Sequence, residues 1–260
     1  MLEEINISDI EKKILVKNDP FPNALIENIL PKDIAKKAEL EFINFKKTVN
    51  AGCKLFQKTK RLFENYEIMP STIQEIIKFF NSKPFINILE QKFKLKNVRP
   101  DWTLHGGGLH ESFRVGFLKI HSDFIYMRRS KLRRVLNLLI YLNSSWDEKW
   151  GGAIEFWDKN MQSSKVSIFP KLNSAAIFRI DKNSNHGFPD PISCPENVSR
   201  KSIALYYYVE EKSFLPISLK RTKYFHAEWK QRPNVDEPRF GDDHKSFFKK
   251  MKLRFLYRFF

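Results

Sequence analysis

Cysteine is scarce in this chain. Only Cys53 and Cys194 occur in 260 residues, which excludes a disulfide framework and makes a reducing cytosol the default, with both thiols free. Long apolar runs are missing too: no stretch approaches the roughly 18 residues of a spanning helix. The N-terminus, MLEEINISDIEKK, lacks the basic start and apolar run of a secretory signal. A soluble, cytoplasmic protein is expected. There is no internal repeat and no parallel βαβ pattern.

Aromatic and basic residues are abundant. Phe alone occurs 24 times, which suits sheets packed face to face. The length allows one sizeable domain with extra helices, or two small ones. Lys+Arg 46 against Asp+Glu 30 gives +16, a balance that favours phosphates, anionic lipid or acidic glycans without choosing among them. Many of the lysines lie in Lys/Asn/Ile-rich stretches of residues 1–100, so the charge alone does not argue for nucleic acid.

Residues 1–20 read as a short strand and loop. Ile34, Ala38, Phe42 and Phe45 predict a helix over 31–47, with Pro31 in its first turn. A second helix is expected from about Thr72 to Phe80, with Ser71/Gln74 or Thr72/Glu75 as a capping box. A third runs from Pro84 to Phe93. Past residue 98 the pattern changes to short strands: Val115–His121, Val135–Asn143, Ala153–Trp157, Val166–Phe169, Ala175–Asp181 and Ser202–Glu210. Turn formers separate them, including Gly151-Gly152. Such spacing predicts an antiparallel sandwich or jelly roll, with Trp102, Trp146, Trp150 and Trp157 packing it. The expected fold is α+β with a mainly β core and N-terminal helices packed on it. It divides into a helical support region (1–97), a jelly-roll core (98–212) and a basic aromatic extension (213–260). At the end of that extension, Phe248, Met251, Phe255 and Phe259 share one helical face. Such a segment either docks on its own domain, lies on an anionic membrane surface or binds a partner.

His121 and Asp123 stand two apart on an expected strand, so their side chains point to one side. His186, at or just after the end of the strand 175–181, adds a second imidazole. Two histidines and one carboxylate can fill one face of an octahedron and leave sites open for cosubstrate and O2, as in non-haem Fe(II) oxygenases. Zinc would normally seek four ligands. Arg200 enters the strand KSIALYYY; inside a sandwich it calls for an anion, and its fork matches a carboxylate. Tyr141 can add a hydroxyl to the same carboxylate. The Pro-rich loop Gly187–Ser199 is expected to border the site.

The ordered blocks LKIHSD, RRVLNLLIYLN, GGAIEFW, HGFPDP and SIALYYYV resemble the prolyl-4-hydroxylase-type 2-oxoglutarate and Fe(II) oxygenases over about residues 100–210. The resemblance implies a double-stranded β-helix, a form of jelly roll. It implies Fe(II), 2-oxoglutarate and O2 as requirements, often with ascorbate as reductant. His121, Asp123 and His186 match the iron ligands, Arg200 the partner of the 2-oxoglutarate 5-carboxylate, and Tyr141 a tyrosine beside it. The implied reaction hydroxylates an unactivated C–H bond and yields succinate and CO2. One departure stands before the first histidine. Where the family often has a tyrosine, this chain reads Gly108-Leu109-His110-Glu111-Ser112, which makes His110 and Ser112 the candidates for contact with cosubstrate or substrate. The substrate is left open among peptide, small molecule and glycan. Nucleic-acid demethylation on the same scaffold is the alternative, but the Arg-rich run that marks those enzymes after the distal histidine is missing. A non-enzymatic jelly-roll binding module is a third reading.

Overall fold

The computed structural model describes residues 5–45, 57–126, 131–211 and 227–235. Cys53 and the amphipathic segment 245–260 lie outside them. Four helices, α1 (Ile7–Lys13), α2 (Lys32–Asn44), α3 (Ser71–Phe80) and α4 (Lys83–Lys92), accompany eleven strands. The strands are β1 (Asn23–Ile26), β2 (Gln57–Phe63), β3 (Arg99–Pro100), β4 (Gly108–Ser122), β5 (Leu132–Tyr141), β6 (Ile154–Trp157), β7 (Ser164–Ile168), β8 (Ala175–Arg179), β9 (Asn185–Phe188), β10 (Arg200–Glu210) and β11 (Glu228–Trp229). They hydrogen-bond in the order β1-β8-β5-β10-β4-β9-β6-β7, with β2 and β11 also on β4 and β3 on β10. All these pairings are antiparallel, the jelly-roll arrangement the sequence predicts.

The alternation of β10 shows how the layers divide. Ile203, Leu205 and Tyr207 face the helices and join Ile73, Ile76, Ile77 and Phe80 of α3 in the larger core; the Tyr207 hydroxyl donates to the Phe80 carbonyl at 3.0 Å. Ala204, Tyr206 and Tyr208 cluster apart from that core. The other face of the strands buries Tyr141, Phe156, Ala176 and Phe178 together. Such period-two sorting puts apolar groups on both faces of the central strands, so neither face is left to solvent.

α3 forms where predicted, because Ile73, Ile76, Ile77 and Phe80 give it an apolar stripe at helical spacing. Its expected capping box is not formed. Pro70 is the N-cap and offers no side-chain acceptor. Instead the Glu41 carboxylate of α2 accepts from the Thr72 amide (3.0 Å) and hydroxyl (2.7 Å), placing an anion at the positive helix end. Gln74 turns away to donate to the carbonyls of Tyr66 and Met69, 3.0 Å each. The N-terminal segment also differs from expectation: residues 7–13 are helical, started by Asn6, whose side chain accepts from the Ser8 amide. Two strands from before residue 98, β1 and β2, enter the sheet beside β8 and β4. Trp146 and Trp157 are buried, but Trp102 is 50% exposed and does not pack the interior.

Candidate metal and cosubstrate site

The site grows from β4 and β9. His121, near the end of β4, lies directly opposite His186 in β9. β9 is a four-residue strand of its own (Asn185–Phe188), not the tail of β8. It pairs with β4 on one edge and β6 on the other. That seat requires glycine at 187. A Cβ there would stand 2.5 Å from the Leu118 carbonyl oxygen and 2.8 Å from that of Lys119. Asp123 follows the end of β4. One ligand atom from each of His121, Asp123 and His186 lies within 4.8 Å of the others. The His121 Nε2 is 3.2 Å from Asp123 Oδ1, and the His186 Nε2 is 3.7 Å from Asp123 Oδ2. Cis ligands about 2.1 Å from a metal stand about 3 Å apart.

Both rings are fixed from behind. Nδ1 of His121 meets the Lys119 carbonyl and Nδ1 of His186 meets the Ser184 carbonyl, each at 2.9 Å. A carbonyl only accepts, so Nδ1 carries a proton in each ring, and in a neutral imidazole so fixed Nε2 is the lone-pair atom. Burial, with His121 beside it, lowers the His186 pKa to about 4, so that ring is neutral at pH 7. Burial pushes the Asp123 carboxyl up, but its contact with His121 and its interactions with His186 and the Arg134 guanidinium prevail and hold it well below the usual range. Two imidazole nitrogens and a carboxylate therefore gather between two buried histidines and a partly buried aspartate. That donor set fits a divalent cation.

Two residues that the sequence reading missed hold the carboxylate. Asn137 Nδ2 donates to Asp123 Oδ2 at 2.7 Å, and Arg134 Nη1 to the same oxygen at 3.2 Å. Arg134 is 1% exposed. Its guanidinium lies 3.8 Å from the Phe124 ring centroid and 3.7 Å from that of Tyr206, and its Nη2 donates to the Tyr208 hydroxyl at 3.3 Å. A partial signal was present: Asn137 is the polar interruption in the apolar run VLNLLIYL, and Arg134 directly precedes that run.

The second cluster lies along β4, β10 and β5. Ser112 is opposite Arg200, and Ser202 is opposite both His110 and Tyr141, so these side chains share one face. Arg200 is 5% exposed. Its Nε donates to the Gly152 carbonyl at 2.8 Å and its Nη2 to the Tyr141 hydroxyl at 3.2 Å. The guanidinium sits 4.4 Å from the centroid of Phe188, two residues past His186 and on the same side of β9. Gly152, at φ +72, makes the approach feasible, since a Cβ there would press on Arg200, Ile192 and Trp146. Among the described residues no carboxylate pairs with Arg200. Burial lowers the Arg200 pKa and raises that of Tyr141. His110 Nε2 meets the Gly106 carbonyl at 3.0 Å. Burial, with Lys60 adding, drives its pKa well below the ordinary histidine value. Ser112 is buried. The loop after β9 borders this cluster through Ile192, which packs with Phe188 and Trp146. Cys194 in that loop is a free, buried thiol.

An antiparallel jelly roll that brings two histidines and one carboxylate together offers the donor set that non-haem iron oxygenases use. Residues 108–208 match the model of the 2OG-Fe(II) oxygenase superfamily. Solved structures share the fold. A Pseudomonas putida prolyl-4-hydroxylase is 11% identical with a TM-score of 0.54, over 81% of this chain and 100% of that one. HygX from Streptomyces hygroscopicus, bound to nickel and 2-oxoglutarate, is 10% identical with a TM-score of 0.51, over 80% and 92%. A prolyl 4-hydroxylase from Phytophthora capsici is 17% identical at TM-score 0.50, over 83% and 66%. No curated protein sequence matches the chain. No helix among the described residues is long and apolar enough to cross a membrane.

Proposed function

We propose that the chain hydroxylates an unactivated C–H bond, with His121, Asp123 and His186 as iron ligands and Arg200 with Tyr141 as the anchor of the 2-oxoglutarate carboxylate. One observation carries this reading: a buried acceptor cluster that wants a cation and a buried cation without a carboxylate share the interior of one sheet. Iron and 2-oxoglutarate, when bound, supply the oxidation of the C–H bond by O2 with release of succinate and CO2. The chain's own residues place these partners. The Nδ1–H bonds to Lys119 and Ser184 aim the two Nε2 atoms, and Asn137 and Arg134 fix the carboxylate. Arg200 meets the far carboxylate with its planar fork, and the Tyr141 hydroxyl lies within the same reach. His110, neutral and buried, and Ser112 line the cosubstrate's flank. Peptidyl proline is the first substrate class to test, because two fold relatives are prolyl 4-hydroxylases, with small molecules and glycans beside it, ascorbate as a candidate reductant and the cytoplasm as the expected compartment. Purified protein supplied with Fe(II), 2-oxoglutarate and O2 should form succinate, and His121→Ala and Asp123→Ala should abolish it. Wild-type protein that forms no succinate and binds no metal would refute the assignment.

A further inference from the structure

We infer that residues 228–232 complete the metal site, with Trp229 as a positioning residue for His121. The inference rests on the metal assignment above. Leu118 of β4 pairs with both Gln57 of β2 and Phe188 of β9, so those two strands occupy opposite edges of β4. His121 pairs with both His186 and Trp229. β11 therefore lies on the edge that β2 covers further up, and the Lys230 amide continues the ladder to the Ile120 carbonyl at 2.8 Å.

This register lines up one cross-strand row, Trp229–His121–His186–Phe156, and residues directly opposite one another share a face. The Trp229 ring centroid stands 5.0 Å from that of His121, and the His121 centroid 4.6 Å from that of His186. His121 is thus held between its fellow ligand and an indole. A second anchor lies three residues on. Arg232 Nη1 donates to Asp190 Oδ1 at 2.9 Å, and the Glu155 carboxylate lies within its electrostatic reach. Asp190 follows β9, and Glu155 is opposite Gly187 of β9. Residues 228–232 are therefore paired with β4 and tied through Asp190 to the loop that leaves β9. Protection of a sheet edge needs only backbone pairing or a charge. It does not need an aromatic ring beside a metal ligand or an ion pair to the loop that leaves the second ligand's strand. The Nδ1 bond to Lys119 fixes one side of the His121 ring, and Trp229 limits its tilt on the other.

The test uses the full-length chain. Dissociation constants for Mn(II), by competition against a chelator, are compared at a temperature where circular dichroism shows each variant folded. Trp229→Ala should raise the constant about tenfold or more, as loss of groups that orient ligands typically does, and Trp229→Phe should recover most of it. Arg232→Asp should also weaken Mn(II), with recovery in the Asp190→Arg/Arg232→Asp exchange. The exchange pair keeps the test decisive if Trp229→Ala does not fold. Wild-type protein that binds no Mn(II) would overturn the underlying metal assignment. Wild-type binding matched by Trp229→Ala and Arg232→Asp would overturn the strap's role alone.

Discussion

Replacing Arg200 by methionine separates binding from stability. The side chain is 5% exposed and has two hydrogen bonds, to Gly152 and Tyr141, with no carboxylate partner among the described residues. In the apoprotein the change leaves two polar groups short of a partner, at about 1–3 kcal/mol each, and removes a buried charge whose desolvation costs several kcal/mol. These terms oppose each other, so the apoprotein melting temperature should move little. Cosubstrate binding should collapse. Truncating one member of a buried, hydrogen-bonded charge pair costs about 2–5 kcal/mol, and about 3.5 kcal/mol corresponds to about 300-fold in Kd. At 2-oxoglutarate about 100-fold above the wild-type Kd, ligand binding stabilises the wild type by about 2.7 kcal/mol and the variant by about 0.2 kcal/mol. At about 2–4 °C per kcal/mol, the wild type should melt about 5–11 °C higher with the ligand, and Arg200→Met less than about 1 °C higher. Thermal denaturation with Mn(II), with and without 2-oxoglutarate, measures both. An Arg200→Met protein that gains the full wild-type shift would refute the assignment of Arg200 as the carboxylate anchor.

Asn137→Ala removes the shortest hydrogen bond to Asp123 (2.7 Å) and should weaken Mn(II) binding about 10–100-fold, measured by chelator competition; unchanged affinity would contradict the orienting role. Gly187→Ala forces a Cβ against the carbonyls of Leu118 and Lys119. β9 must then shift off β4, and the expected outcome is a loss of more than about 2 kcal/mol in urea unfolding together with loss of metal binding. His110 titrates with a depressed folded pKa. Its folded form binds fewer protons than the unfolded chain, so its contribution is complete above the unfolded value of about 6.5 and falls as pH drops below it. Between pH 7 and 5, wild-type apoprotein should lose stability more steeply than His110→Gln, by a difference approaching about 1.4 kcal/mol per pH unit. Parallel curves would show that His110 is not held neutral by the fold.

The elements legible in the sequence were those whose side chains repeat with a period. α2 and α3 showed through Ile34, Ala38 and Phe42 and through Ile73, Ile76, Ile77 and Phe80, all of them buried. β5, β8 and β10 showed as apolar runs, because both of their faces are covered. β9 has no such pattern. Asn-His-Gly-Phe is a strand only because β4 and β6 supply partners on both edges, and non-local pairing of that kind leaves no period to read. α1 fails for a related reason: seven residues form less than two full turns, and Asn6 as its cap is recognisable only once the helix is seen. The Ser71/Gln74 and Thr72/Glu75 pairs misled because Glu41 of another helix performs the capping that a local side chain was expected to provide.

The candidate site divides along the same line. His121, Asp123, His186, Arg200 and Tyr141 were readable because their chemistry is unusual for strands and their order matches a family pattern. Arg134 and Trp229 were not, because nothing beside them in sequence names the group each acts on, and Asn137 showed only as a polar break in an apolar run. An arginine in β5 reads as a solvent-facing charge until the fold brings Phe124 and Tyr206 to its two faces and Asp123 to its end. Those contacts also explain how it is accommodated: the aromatic faces replace part of its hydration, and the carboxylate neutralises it. One group thus supports both the fold and the metal ligand. Loss of Arg134 should therefore lower stability and metal affinity together, whereas loss of Arg200 leaves the apoprotein nearly untouched. Arg134 keeps its counter-charge within the protein, and Arg200 has none among the described residues, as its proposed role as carboxylate anchor requires.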